Sequence, residues 1–367
     1  VEVTRVVEVE GETITETVTE VVEVEVTVEA EPAMMFPGVQ LEGIMRNSFI
    51  PEMNNVQLAH AGAWNTRTDS ERELTFSREW REQVAAAVES GSGGDISELF
   101  ANQAFIYGDQ LLDVSDVAEE LGAEYGGWYE VAEEASVVEG VWRAIPRAYT
   151  AQAINYREDI FEAAGVDTIP TTYDELLEAA KKISDAGLPP MGFTMNQAGP
   201  NDSANFAYSL LWSMGGKEVE EDGCTVALNS PETRAALEYM IELGQYMAPD
   251  VTAYDEGGNN RAFLGGEISA TQNATSIYWT ALRQGMATPE DPEVTIASVT
   301  NHFPYPSGPA GRQEFVQMNL LSIPAHTENP EAAKAWLKWM MEPAQLGPLA
   351  SVGITFYTPL LHQYDDD

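Results

Sequence analysis

The chain has 367 residues, 44% of them apolar, 9% aromatic and 21% charged, values that allow two domains of roughly 100–200 residues, each with a core. Sixty Asp and Glu against 18 Lys and Arg give a formal net charge of −42. Such a chain repels phosphate backbones and anionic lipid, which excludes nucleic acid and acidic membrane surfaces as partners. Only five of the basic residues are Lys. That balance fits adaptation to high salt and fits an ordinary acidic secreted protein equally. Cys224 is the single cysteine, so no internal disulfide forms. No apolar run reaches the roughly 18 residues of a membrane span. The chain begins without Met or a leader, so it reads as a processed product.

Residues 1–31 hold 11 Val, 10 Glu and 6 Thr, with no Leu, Met or aromatic residue. Val and Thr favour extended backbone, while ten Glu repel one another. The segment reads as an acidic spacer over residues 1–38, with an edge strand or stalk as the alternative, and Pro32 to Gly38 closes it. Strand and helix signals then alternate, which argues for an α/β fold. Val39–Met45 reads as a strand. A helix through Ala85–Glu89 stops at Ser90-Gly91-Ser92-Gly93-Gly94, and a short strand follows over Asp95–Leu99. Ser115 reads as the N-cap of a helix to Leu121. Thr172-Tyr173-Asp174-Glu175 is a capping box. Ser230-Pro231 and Asn329-Pro330 place Pro at the first turn of two further helices, running to about Met247 and over Ala332–Met341.

Several chemistries are missing. His60, His302, His326 and His362 are scattered, and with one Cys they make no metal-ligand spacing. There is no nucleophile elbow, no Walker loop and no dinucleotide fingerprint. Asp95, Asp109 and Asp113 are acid/base candidates, for which solvated or capping roles are the competing reading. No cofactor, metal or catalytic group is expected, and the chain reads as a binding protein rather than an enzyme.

Five phrases in chain order carry a resemblance. They are Ala85–Ile96; Ala144-Ile145-Pro146 with Ile154–Gly165; Pro170–Leu177; Ala262–Ala270; and Leu321–Pro324 with Asn329–Leu337. Together they resemble the extracellular solute-binding proteins of ABC importers, the family that takes up sugars and glycerol phosphates. The match departs at Gly94, where the family has Pro, and at Arg157 and Glu158. The resemblance implies a type II periplasmic-binding-protein-like fold of two α/β lobes, with a cleft between them and three crossings near 144–153, 271–278 and 316–322. It puts residues 39–147 and 276–316 in lobe one and 148–275 and 317–367 in lobe two. A C-terminal segment of roughly 50 residues is expected to be missing, by analogy with the family.

The resemblance further implies capture of a mono- to oligosaccharide and its delivery to permease subunits. Glycerol phosphate or its diesters is the alternative ligand, and a carbohydrate-active hydrolase a more distant reading. The expected state is a monomer outside the cell, tethered by a lipid anchor upstream of this chain, or periplasmic. A sugar site needs amides, hydroxyls and carboxylates for the hydroxyls, and aromatic faces for the rings. Asn47 and Phe49 follow the first strand, where a cleft loop is expected. Tyr149 and Thr150 match solute-contacting positions of the family. Gln197 and Asn201 precede a helix over Asp202–Met214. Asn273, Ser276 and Tyr278 match the second crossing, Gln317 and Asn319 occupy the third, and Tyr357 matches a solute-contacting Tyr. Arg147 and Arg312 are candidate anion contacts. Trp128, Trp142, Trp212, Trp336 and Trp339 are expected in the core.

Overall fold

The computed structural model describes residues 3–9, 12–18, 35–196, 201–255, 257–353 and 356–366. The chain divides into a unit ending at Met35 and a body from Phe36 to Asp367. In the first unit, β1 (Val3–Val9) and β2 (Glu12–Val18) form an antiparallel ladder that sets Arg5 opposite Glu16. The extended tendency of the Val/Thr pattern is thus realised as a paired hairpin.

The strands of the body are β3 (Gln40–Arg46), β4 (Glu71–Ser77), β5 (Ile96–Phe100), the short pair β6 (Val137–Val138) and β7 (Val141–Trp142), β8 (Ile145–Thr150), β9 (Gln152–Arg157), β10 (Ala270–Ala274), β11 (Thr300–Phe303) and β12 (Gln317–Ser322). The longer helices include α1 (Pro51–Thr68), α2 (Trp80–Ser90), α3 (Gln103–Tyr107), α4 (Ser115–Glu124), α5 (Glu130–Ser136), α6 (Glu158–Ala163), α7 (Tyr173–Asp185), α8 (Asn201–Ser213), α9 (Pro231–Gly244), α10 (Gly258–Leu264), α11 (Ser276–Gln284), α12 (Pro330–Met340) and α13 (Pro343–Gly353).

Two sheets organise two lobes. The first has the order β4-β3-β5-β12-β8, with β3 parallel to β4 and β5 and with β12 antiparallel to β5 and β8. The second has the order β10-β9-β11, all antiparallel. The core of the first lobe joins Leu41, Ile96, Ile145 and Leu321 to Trp64 of α1 and to Trp336 and Trp339 of α12. The core of the second joins Ile154 and Tyr156 to Phe161, Phe193, Phe206, Ile277, Ala281 and Phe303. The expected division is therefore exchanged: residues 276–316 complete the second lobe and 317–367 return to the first. The cause is strand pairing, because β11 bonds to β9 and β12 bonds to β8. The chain changes sheets at β8–β9 and between β11 and β12, as expected near 144–153 and 316–322. Around 271–278 it stays with the second sheet. There Ala274 and Trp279 reach a cluster with Ile50, Met53 and Leu349 of the first lobe.

Local signals hold with small shifts. Thr172 caps α7 as the first half of a capping box completed by Glu175, and the Ser230 side chain accepts from the Thr233 N–H at the start of α9. The α2 helix ends at Gly91 with φ +65°, the left-handed cap that glycine enters without steric cost. Ser115 is the first helical residue rather than the cap. Its N–H donates to Asp113 Oδ1, and its hydroxyl accepts from the Trp142 N–H. Trp336 and Trp339 are buried as expected.

Candidate functional site

Ligands of open α/β sheets sit at the carboxyl ends of parallel strands. Here β3, β4 and β5 end at Arg46–Phe49, Arg78–Trp80 and Phe100–Gln103, and residues of all three segments line cavities shared with the second lobe. The smaller cavity, about 240 Å³, is polar. The first lobe supplies Arg46, Asn47, Phe49, Arg78 and Gln317, and the second supplies Gln152, Asp202, Asn260, Asn273 and Ser276. The larger, about 710 Å³, is lined by Phe100, Phe105 and Ile106 from the first lobe and by Tyr208 and Trp212 from α8, with Phe315 and Val316 between them. Gln317 faces the first cavity, while its neighbours Val316 and Met318 face the second.

The polar cavity is braced on the Asp202 carboxylate. Its Oδ2 accepts from Asn259 Nδ2 at 3.0 Å and from Asn273 Nδ2 at 3.2 Å. Asn273 also donates to Asn260 Oδ1 at 2.7 Å, and its own Oδ1 accepts from the Ala274 N–H. At the rim Arg261 pairs with Asp255 at 2.6 Å. Gln152 donates to Gln317 Oε1 across the two lobes, and its own Oε1 is buried with no hydrogen-bond partner among the described residues. A buried acceptor left in that state costs free energy until a donor reaches it. In the larger cavity Tyr208, Trp212 and Phe315 stack, with Tyr208–Trp212 centroids 5.3 Å apart and the Trp212 and Phe315 planes within 7°. Trp212 Nε1 donates to Glu218 Oε2 at 2.8 Å, which fixes the indole. Half-buried aromatic faces aligned in a cavity offer the platform that a sugar ring stacks on.

Of the expected site residues, Asn47, Phe49, Asn273, Ser276 and Gln317 come together on the polar cavity. Tyr149 lines neither cavity but a third, largely apolar hollow beside Thr358 and Leu360, which adjoins the larger cavity at Val131 and Val316. Thr150 and Asn319 are wholly buried and bonded to each other, Asn319 Nδ2 donating to Thr150 Oγ1 at 2.7 Å. Tyr278 packs on the core of the second lobe, edge-on to His302. Burial pushes the His302 pKa down. Gln197 lies outside the described residues, and of Asn201 only the backbone, at the start of α8, is described.

The two candidate anion contacts lie elsewhere. Arg147 is fully buried, paired with Glu98 at 3.1 Å, and donates to Gln57 Oε1 at 2.7 Å and to Tyr357 Oη at 3.3 Å. Tyr357 is thereby part of this network rather than of a cavity wall. Glu98 Oε2 also accepts from the Arg46 N–H, so the network holds the end of β3 that carries Arg46–Phe49. Arg312 is exposed outside both cavities. Trp212, expected in the core, faces the large cavity. Two of the acid/base candidates are structural, Asp95 accepting from the Glu42 N–H and the Thr327 hydroxyl and Asp113 from the Ser115 N–H, and Asp109 is exposed outside both cavities. Asp202, Asn260, Gln152, Tyr208 and Phe315 escaped the sequence reading. A helix-start Asp and aromatic residues four apart on α8 were the available signals.

Two α/β lobes that jointly build one cavity of amides and a carboxylate and another lined by stacked rings define a cleft-type binding protein. The chain belongs to the bacterial extracellular solute-binding protein family, whose sequence pattern matches residues 67–346. A binding protein of Brucella abortus is 31% identical over 146 residues, 39% of this chain and 35% of that one. The diacetylchitobiose binding protein DasA of Streptomyces coelicolor is 24% identical over 277 residues, 74% of this chain and 61% of that one. The chain thus matches less than two thirds of the length of these relatives. Among solved structures, maltose-bound MalE3 of Thermotoga maritima superposes with a TM-score of 0.76 at 24% identity, covering 90% of this chain and 83% of that one. It shares the two-lobed fold.

Proposed function

We propose that the chain captures a carbohydrate outside the membrane and delivers it to the permease of an ABC importer, without catalysis. The observation that carries this reading is the pairing of chemistries in one cleft. Amides and the Asp202 carboxylate face one cavity, and the Tyr208–Trp212–Phe315 stack faces the next. Ring hydroxyls satisfy the first and ring faces the second. The unpartnered Gln152 Oε1 is an acceptor that a sugar hydroxyl would satisfy. The names of the relatives agree, one a diacetylchitobiose binder and one maltose-bound. Both cavities draw on both lobes, so a bound solute favours the closed arrangement, and closure couples occupancy to docking on the permease. A surface-tethered or periplasmic monomer is the form in which such a protein works. Glycerol phosphate stands as the alternative ligand: Arg147 is spent on Glu98 and Arg312 stands outside the cavities, while Arg46 and Arg78 line the polar one.

A thermal-shift screen with mono- and oligosaccharides, polyols and glycerol phosphates, at low and high KCl, tests the reading. A ligand that binds only the folded state adds roughly 2.7 kcal/mol at one hundred times its dissociation constant. The reading expects a raised midpoint with one carbohydrate group. A rise with glycerol phosphates alone, or with no solute in either salt, contradicts it.

A further inference from the structure

The larger cavity carries a chemistry that neutral rings do not use up. Three carboxylates, Glu134, Glu218 and Glu314, line it together with a single guanidinium, Arg81. Arg81 lies over the Trp80 ring at 4.3 Å. Glu218 is engaged by the Trp212 indole N–H. Glu314 is different. It is half-buried next to Phe315, and among the described residues it makes no hydrogen bond or ion pair. Desolvation pushes its carboxyl pKa up, opposed only by the exposed Arg312. The phenols of Tyr149, Tyr173 and Tyr305 lie within electrostatic reach of it, and Arg81, Glu134 and Glu218 share its cavity.

An ammonium group answers both features at once: it pairs with a partly desolvated carboxylate and is attracted to the face of a Trp or Tyr. The net charge of −42 adds a field that attracts cations to the protein. We propose that the larger cavity recognises a protonated amine on the solute, so that the captured carbohydrate is an amino-sugar oligosaccharide with a free amino group, its ring on Tyr208 and Trp212 and its ammonium at Glu314. This rests on the carbohydrate reading above and narrows it.

Calorimetric titration of the whole chain near neutral pH with a glucosamine trimer, its fully N-acetylated counterpart and maltotriose tests the proposal. The glucosamine trimer is expected to bind about tenfold tighter than the other two, equivalent to about 1.4 kcal/mol. Glu314→Gln is expected to abolish that preference with an unchanged melting temperature, while Glu314→Asp, which keeps the charge, retains part of it. On acidification the preference is expected to fade before the ordinary carboxylate range, because Glu314 protonates early. Equal or tighter binding of the acetylated trimer or maltotriose overturns the amine proposal and leaves carbohydrate capture standing. A preference that survives Glu314→Gln overturns the assignment to that residue. If none of the three binds and the wider carbohydrate panel also gives no shift, both readings fall.

Discussion

Arg147 and Glu98 are 0% and 1% exposed and face each other at 3.1 Å, with Gln57 and Tyr357 completing the guanidinium's partners. The Tyr357 ring also lies 5.2 Å from the guanidinium carbon. Such a pair gains little over an apolar replacement, but removing one member strands a charge in a dry site. Glu98→Ala is therefore expected to cost about 3–5 kcal/mol in a urea titration. The loss goes beyond stability, because Glu98 also holds the Arg46 N–H and with it the loop of Asn47 and Phe49. A cost within about 0.5 kcal/mol would show that water reaches the pair and that the network does not set the loop.

Among the elements, α7 shows how a local signal becomes a tertiary one. The Thr172 hydroxyl accepts from the Glu175 N–H, and the Glu175 carboxylate accepts from the Thr171 and Thr172 N–H groups, which lowers its pKa. This fixes the entry of a helix whose Tyr173, Leu176, Ala180 and Ile183 face the core of the second lobe. Thr172→Ala is expected to lower stability by about 1 kcal/mol, measured as a shift in the urea midpoint with an unchanged slope. Cap signals of this kind are legible because they act over three or four residues. Sheet membership was not legible for β11 and β12, since a strand such as Met318–Leu321 reads alike whichever sheet pairs with it. The lobe assignment of 276–316 and 317–367, which include Tyr357, failed for that reason. Asn47 was legible as the polar end of an apolar strand and Gln317 as a polar residue in an apolar run, while Asn273 came from the match to the second crossing; the same signal at Asn319 marked a buried bond to Thr150 instead. Trp212 was not legible, because a Trp on a helix face looks the same whether the facing space is filled or empty.

At the scale of the whole molecule, the cavities lie where two lobes meet, and neither lobe alone holds a complete set of groups. The first brings Asn47, Phe49, Gln317 and Phe105, and the second brings Asp202, Asn273, Tyr208 and Trp212. Affinity from such a site comes from hydroxyls replacing water on fixed amides and from ring faces leaving water together. The ledger is tilted by one residue from each cavity, so removing either separates the two contributions. The most direct measurement is a calorimetric titration of the carbohydrate selected by the thermal-shift panel into the native chain, Trp212→Ala and Asn273→Ala. The account predicts a single site in the native chain and affinities at least about tenfold weaker in each variant, with both variants still melting cooperatively. Undiminished affinity in both folded variants would place the binding site outside the cleft and contradict the account.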